Sequence, residues 1–429
     1  MTALVAVMNK QAVALAADSA GTVPVNLPGR DHHKIYAMNK VFALSKTEPV
    51  GAMLCGQSQF LGLPWESIIK RFRRATLTRK HPSIDAWYND FRDYLGSLIA
   101  TMPVGERDQL VLTRYFTVLA AVLSELIKEG ISPESIAQGQ LEERLAKRTD
   151  NVNSFEFAVE TPDHAIEAFI TRNGATIELE ENKVFADYDL QPLEIAVHRR
   201  SLLGALLARR VPIEHAASQV VIAGFGTDDW FPSVRSMVID GVANDSLRSW
   251  AGAKSTIDHS IGADIVPYAQ ADIVWTLLRG IHPNIQDALG KVIGEALTVE
   301  FPKLAGDLLK KHISDTAIRD VIAQQLDAVT SQLSANIAAQ LDQQSYQYHT
   351  LPVLASIQHL GKGELALLAE SLITTTSLKY RMAIDAQESV GGPVDVAVVS
   401  KDEGFIWIRR KHYFDIAINP SFHDQQAEL

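Results

Sequence analysis

Cysteine is almost missing from this chain: Cys55 is the only one in 429 residues. An intrachain disulfide is therefore impossible, and a cysteine-rich metal site is excluded. A run of 18 apolar residues is also missing, so the sequence offers no transmembrane helix. The first residues, MTALVAVMNKQ, carry no basic leader and make a poor signal peptide, which suits a cytoplasmic chain. Positive charge is the minority: 40 Lys and Arg face 51 Asp and Glu, a net charge of −11. General binding of nucleic acid or of an anionic membrane is not expected from that balance. No repeat of 20 to 50 residues is visible, and no linker rich in Pro, Gly or Ser divides the chain.

What remains is ordinary globular composition, 47% hydrophobic and 21% charged. The first sixty residues read as strands. Leu4–Met8 and Ala12–Ala17 flank Asn9-Lys10-Gln11 and predict a hairpin. Residues 21–30 hold two prolines and two glycines and predict a loop. Lys34–Met38 and Val41–Leu44 predict a second hairpin about Asn39-Lys40, and Val50–Cys55 a buried strand. Helical spacing follows over 61–74, 84–99, 110–128 and 192–210, with alternating stretches at 155–159 and 175–179. Strands return at 219–226 and 233–239, a helix is predicted from Pro267 to Arg279, and 286–347 and 363–380 are helical. Strands at 394–399 and 405–409 close the pattern. Leu326, Val329, Leu333, Ile337 and Leu341 form an apolar stripe, either a core face or a partner surface.

The densest candidate chemistry is Thr2, Asp18 and Lys34, at two intervals of sixteen. A hairpin turning near Lys10 sets residue 2 opposite residues 17 to 19, and Lys34 begins the next predicted strand. Removal of Met1 would expose an α-amine with a pKa near ~8, able to act as base for the Thr2 hydroxyl. Lys34 would favour the deprotonated forms, Asp18 would hold Lys34, and the backbone N–H of Gly56 could form an oxyanion hole. Without further support, a frayed terminus beside an ordinary ion pair explains the same trio.

The stretches TALVAVMNKQAVALAADSAGT, HHKIYAMNKVFAL and GAMLCGQSQ resemble the N-terminal part of proteasome β-type subunits and their bacterial relatives, which are N-terminal-nucleophile (Ntn) hydrolases. The resemblance implies Thr2, Asp18 and Lys34 as the catalytic threonine, aspartate and lysine, Thr22 as a substrate-backbone contact, and Gly56 as the oxyanion glycine, with Gly51 the alternative. Residues 220–240, Ile261-Gly262 with Pro267-Tyr268-Ala269, and 363–395 resemble later parts of the family, including the glycine pair Gly391-Gly392. The family's supporting serine has no match here. Asp264 lies in the corresponding stretch, and Asp385, Glu388 and Ser389 precede the glycine pair.

The resemblance implies an α+β fold, a four-layer αββα Ntn-hydrolase sandwich, as one domain over 1–429. Its core strands would lie in 2–60, 218–240 and 390–411, with helical insertions at 61–217 and 286–350. It implies a threonine-type peptidase acting on peptide or small amide substrates, a homo-oligomer, an unfoldase partner of unknown identity, and no cofactor or metal. A catalytically silent scaffold or binding subunit and a non-peptide amidase are the rival readings. Elsewhere, the basic run from Lys70 to Lys80 reads as a solvated helix face, His32-His33 as a loop pair, Gly224-Phe225-Gly226 as a strand end, and Cys55 as a core residue.

Overall fold

Backbone pairing and apolar packing divide the chain into two compact units. One comprises Met1–Val41, Trp230–Ser233 and Ser255–Leu429, the other Phe42–Asp229 and Val234–Lys254. A computed structural model describes residues 2–27, 30–131, 138–186, 188, 195–210, 217–243, 245–382, 390–412, 414–415 and 419, with the backbone alone at 22–27, 30–35 and 138. Its registered strand pairs are antiparallel, with the helices in separate blocks, so the structure is α+β as expected.

In the first unit, β1 (Ala3–Asn9) and β2 (Ala12–Ala17) form the predicted hairpin, with Leu4 opposite Ala17 and Met8 opposite Val13. Asn9 closes the turn by accepting from the backbone N–H groups of Gln11 and Ala12. The next segment departs from expectation. β3 (Ala20–Leu27) and β4 (Arg30–Ala37) pair with each other, from Ala20 opposite Ala37 out to Leu27 opposite Arg30. Residues 21–27 and 30 are therefore strand rather than loop, and 34–37 pair with β3 rather than with 41–44. A two-stranded ribbon leaves each strand one open edge, where Pro24 costs no ladder bond.

The second unit opens within β5 (Val41–Ala43), from Phe42 on, and continues with β6 (Val50–Gly56), β7 (Gln59–Phe60) and β8 (Leu63–Pro64). Helices α1 (Trp65–Ala75), α2 (Ile84–Ile99), α3 (Val104–Lys128), α4 (Gln138–Asn153), α5 (Asp163–Phe185) and α6 (Ala196–Ala208) follow. Then come β9 (Ser218–Gly224), β10 (Ser233–Ala243) and β11 (Ser246–Thr256), in a sheet of order β11-β10-β9-β6-β5. Trp65, Ile68 and Phe72 of α1 and Trp87, Phe91 and Leu95 of α2 pack on Val50, Ala52, Val220, Ile222 and Met237 of this sheet. Helices α3 to α6 bury a separate apolar core among themselves. The alternation at 175–179 is overridden there, since those residues are the middle of α5. α3 is long and apolar enough to cross a membrane by length and composition. Its Val111, Tyr115, Leu119, Val122 and Leu126 are instead buried against α4, α5 and α6.

The first unit resumes with β12 (Ala263–Ala269), α7 (Asp272–Arg279), α8 (Pro283–Glu295), α9 (Phe301–His312), α10 (Thr316–Ser345), α11 (Leu351–Ile357), α12 (Lys362–Met382), β13 (Asp395–Ser400) and β14 (Gly404–Arg409). Ala296–Glu300 and Tyr346–Thr350 are π-helical turns. The sheet order is β12-β1-β2-β13-β14. Pro267 sits in β12 rather than starting a helix, which an edge strand tolerates. The helix begins only at Asp272. Ala3, Val5 and Val7 of β1 and Ala12, Ala14 and Ala16 of β2 pack against Leu365, Ala369, Leu372 and Ile373 of α12. The small side chains of β2 let α12 approach closely. Both faces of β1 and β2 are buried, which explains continuous apolar runs in place of alternation.

Candidate active site

Continuing the hairpin register past Leu4–Ala17 brings Ala3 beside Asp18 and Thr2 beside Ser19. The Asp18 backbone N–H donates to the Ala3 carbonyl (3.1 Å). The Ala3 N–H returns to Asp18 Oδ1 (3.0 Å). The Thr2 carbonyl accepts from the Gln270 N–H (3.0 Å), just beyond the end of β12. Both polar groups of the Thr2–Ala3 peptide are thus fixed, one from each neighbouring strand.

The ammonium that meets Thr2 belongs to Lys40. Its Nζ donates to Thr2 Oγ1 (2.9 Å), to Asp18 Oδ1 (2.7 Å) and to the Ala20 carbonyl (2.6 Å). The Lys40 and Asp18 side chains are 5% and 0% exposed, and Thr2 is 8% exposed. Lys34, the lysine predicted for this role, has its backbone in β4 opposite Val23, and its side chain lies outside the described residues. That position is three registered pairs out from the Ala20–Ala37 base of the ribbon, or about 10 Å along it at ~3.3 Å per residue. The chain returns to the sheet edge only after Ala37, where Met38 N–H donates to the Ser19 carbonyl and Lys40 follows.

Asp18 is tied further. Its Oδ2 accepts from the N–H groups of Ala20 (3.2 Å) and Gly391 (3.1 Å). The Gly391 carbonyl in turn accepts from Ser19 and Ala20. Gly392 follows at φ +78°, so the second glycine of the pair is favoured by its left-handed conformation, and a Cβ there would displace the Ser19 hydroxyl.

Of the other predicted residues, one lies away from this end of the sheet, and the rest belong to the second unit or have side chains outside the described residues. Asp264 lies opposite Met8 at the far end of the β1–β12 ladder, whereas Ala269 lies opposite Ala3. That is about 17 Å from the Thr2 end at ~3.3 Å per residue. Asp264 instead accepts from Ser255 Oγ (2.5 Å) and cannot support Thr2. Thr22 is opposite Ile35 in the ribbon, and its side chain lies outside the described residues, as Asp385, Glu388 and Ser389 do entirely. Gly56 closes β6 in the second unit at φ +88°, opposite Ser218, and Gly51 lies opposite Ala223. Cys55 is buried, with Sγ 3.7 Å from Gln219 Oε1. The basic run is exposed except at Arg73, which is half-buried, with Lys70 paired to Glu66 and Arg79 to Asp90.

A polar cluster that sequence reasoning missed stands at the Thr2 end of β12. The Tyr380 hydroxyl shares its one proton between two acceptors, Gln270 Oε1 and Asp272 Oδ1 (3.0 Å). Asp272 Oδ2 accepts from Lys379 Nζ (2.7 Å) and lies 3.3 Å from His282 Nε2. Burial acts to raise the Asp272 pKa, but the hydrogen bonds from Lys379, Tyr380 and His282 outweigh it and hold the carboxyl below its ordinary value. Burial, then the charge of Asp272, pushes the Tyr380 hydroxyl pKa up. Among the described residues, no group of three or more His, Cys, Asp or Glu is placed to hold a metal ion.

No family model and no curated protein matches the chain. The resemblance of the amino-terminal residues to proteasome β-type subunits is therefore corrected: no family model for them matches. Solved structures that are similar include a chain of the helical assembly of the Anbu complex from Pseudomonas aeruginosa, at 11% identity and TM-score 0.29, covering 100% of this chain and 96% of that one. An Anbu Gly-1 mutant from Hyphomicrobium sp. strain MC1 is similar at 8% identity and TM-score 0.24, again covering 100% and 96%. At such TM-scores neither likeness establishes a shared fold, and the site rests on its own geometry.

Proposed function

We propose that the chain is an N-terminal threonine hydrolase of amide bonds, with peptides as the substrate class. The observation that carries this reading is the buried Lys40 ammonium bridging Thr2 Oγ1 and Asp18. An exposed threonine hydroxyl needs none of this. A threonine that must become an alkoxide gains from a cation held on its oxygen by a fixed carboxylate.

The chemistry requires cleavage of the peptide bond before Thr2. The freed α-amine, with an intrinsic pKa near ~8, then accepts the Oγ1 proton as Oγ1 attacks the substrate carbonyl carbon. Lys40 stabilises the negative charge developing on Oγ1, and Asp18 keeps Lys40 charged and in place. The ammonium formed on Thr2 passes its proton to the leaving nitrogen, so the C–N bond breaks to give free amine and an ester on Oγ1. Water, deprotonated by the same α-amine, attacks that ester, the C–Oγ1 bond breaks to release the acid, and the ammonium returns its proton to Oγ1. The exposed apolar side chains of α10 support self-association as part of the same proposal.

The experiment is intact mass and peptide mapping of the purified chain, followed by turnover of a fluorogenic peptide library. The expected protein begins at Thr2, and Thr2→Ala loses turnover with an unchanged melting temperature. A fully active pool that retains a residue before Thr2 would remove the mechanism.

A further inference from the structure

Ala269, the last residue of β12, has φ +59°, a left-handed conformation that a residue with a Cβ adopts only at a cost. The turn it makes matters because the next residue, Gln270, supplies the N–H that holds the Thr2 carbonyl. Strained backbone of this kind persists where surrounding contacts over-determine it. Two contacts do so here. The Ala271 N–H closes back on the Ala269 carbonyl (2.9 Å), and the Gln270 side chain is caught by the Tyr380 hydroxyl. Tyr380 is itself fixed on Asp272, which Lys379 and His282 hold from α12 and from the start of α8.

We propose that Tyr380 is a positioning residue for Thr2, acting through Gln270 to hold the left-handed turn at Ala269. This rests on the reading of Thr2 as nucleophile. The Thr2–Ala3 peptide plane is fixed from two sides, by Asp18 at its N–H and by Gln270 at the Thr2 carbonyl. Release of the second tie lets that plane rotate. The Thr2 hydroxyl then moves off Lys40, and small misplacements at a reacting centre cost rate steeply.

The test is the rate of Thr2 acylation by a β-lactone electrophile, read as an intact-mass increment mapped to Thr2 in the full chain. Tyr380→Phe is expected to slow acylation about tenfold. Its melting temperature should stay near that of the wild type. Gln270→Ala removes the same contact from the other side and should slow it similarly. Glycine takes positive φ without the Cβ penalty, so Tyr380→Phe combined with Ala269→Gly should return the rate to within about twofold of wild type. A merely structural role for Tyr380 would not be rescued by glycine at 269. A wild-type adduct formed equally fast in Tyr380→Phe, or a double variant no faster than the single one, overturns the positioning role alone. A wild-type chain that begins at Thr2 and forms no adduct overturns the nucleophile reading, and the positioning role falls with it.

Discussion

Lys34 and Lys40 both follow Asp18 within a few turns of chain, and the difference between them is one of path. Thr2 and Asp18 were legible in the sequence because a tight hairpin fixes their register at short range. The lysine arrives from a segment whose route depends on whether residues 21–30 are loop or strand. Two prolines and two glycines argued for loop, and the interval of sixteen then pointed to Lys34. The ribbon of β3 and β4 carries that residue away and delivers Lys40. The same dependence on path hid Gln270 and Tyr380, which meet at a strand end from positions 110 residues apart. At this scale the prediction separates the two lysines. Lys40→Met should abolish peptide turnover and destabilise the fold by about 3–5 kcal/mol, because Asp18 is left charged and buried. Lys34→Ala should leave turnover within twofold of wild type. Turnover assays with denaturant titrations of both variants check this, and the opposite ranking would return the role to Lys34.

Most helices were legible as helices because their apolar spacing is strong, but the polar contacts that join them were not. β10 and α3 meet at a buried charge cluster: Asp240 accepts from Arg248 Nε (2.9 Å) and pairs with Arg114 Nη2 (2.9 Å). Arg248 also donates to the carbonyls of Leu206 and Leu207 at the C-terminal end of α6, where a cation is favoured by the helix dipole. One carboxylate thus serves two guanidiniums, all of them at most 2% exposed. Nothing in the spacing of Arg114, Asp240 and Arg248 signals this, because the three come from separate elements. Asp240→Asn should cost about 3–5 kcal/mol, since it leaves two buried cations without their counter-charge. Chemical denaturation with circular dichroism reads the shift. A loss under about 1 kcal/mol would mean that the helix-end carbonyls already compensate the charge.

The whole chain carries its helical mass unevenly. Helices α3 to α6 bury a core, whereas α8 and α9 contain no buried residue and α10 only Thr330. The predicted stripe lies on α10, with Val329 63% exposed and Leu333 and Leu341 45% exposed. An exposed row of this kind is unusual for a monomer. Light scattering coupled to size-exclusion chromatography at micromolar concentration should give a mass above the 47.1 kDa of one chain. Leu333→Asp combined with Leu341→Asp should shift it toward one chain without unfolding. A single-chain mass for the wild type would make the stripe a free surface. A further consequence lies in β1. This strand is registered with β12 on one side and β2 on the other. In hydrogen–deuterium exchange the Val5 and Val7 amides should be among the slowest in the molecule, opening only when the first unit unfolds as a whole. The strand that carries the threonine then inherits the lifetime of the fold itself, and only the aim of the hydroxyl is left to the side chains around it.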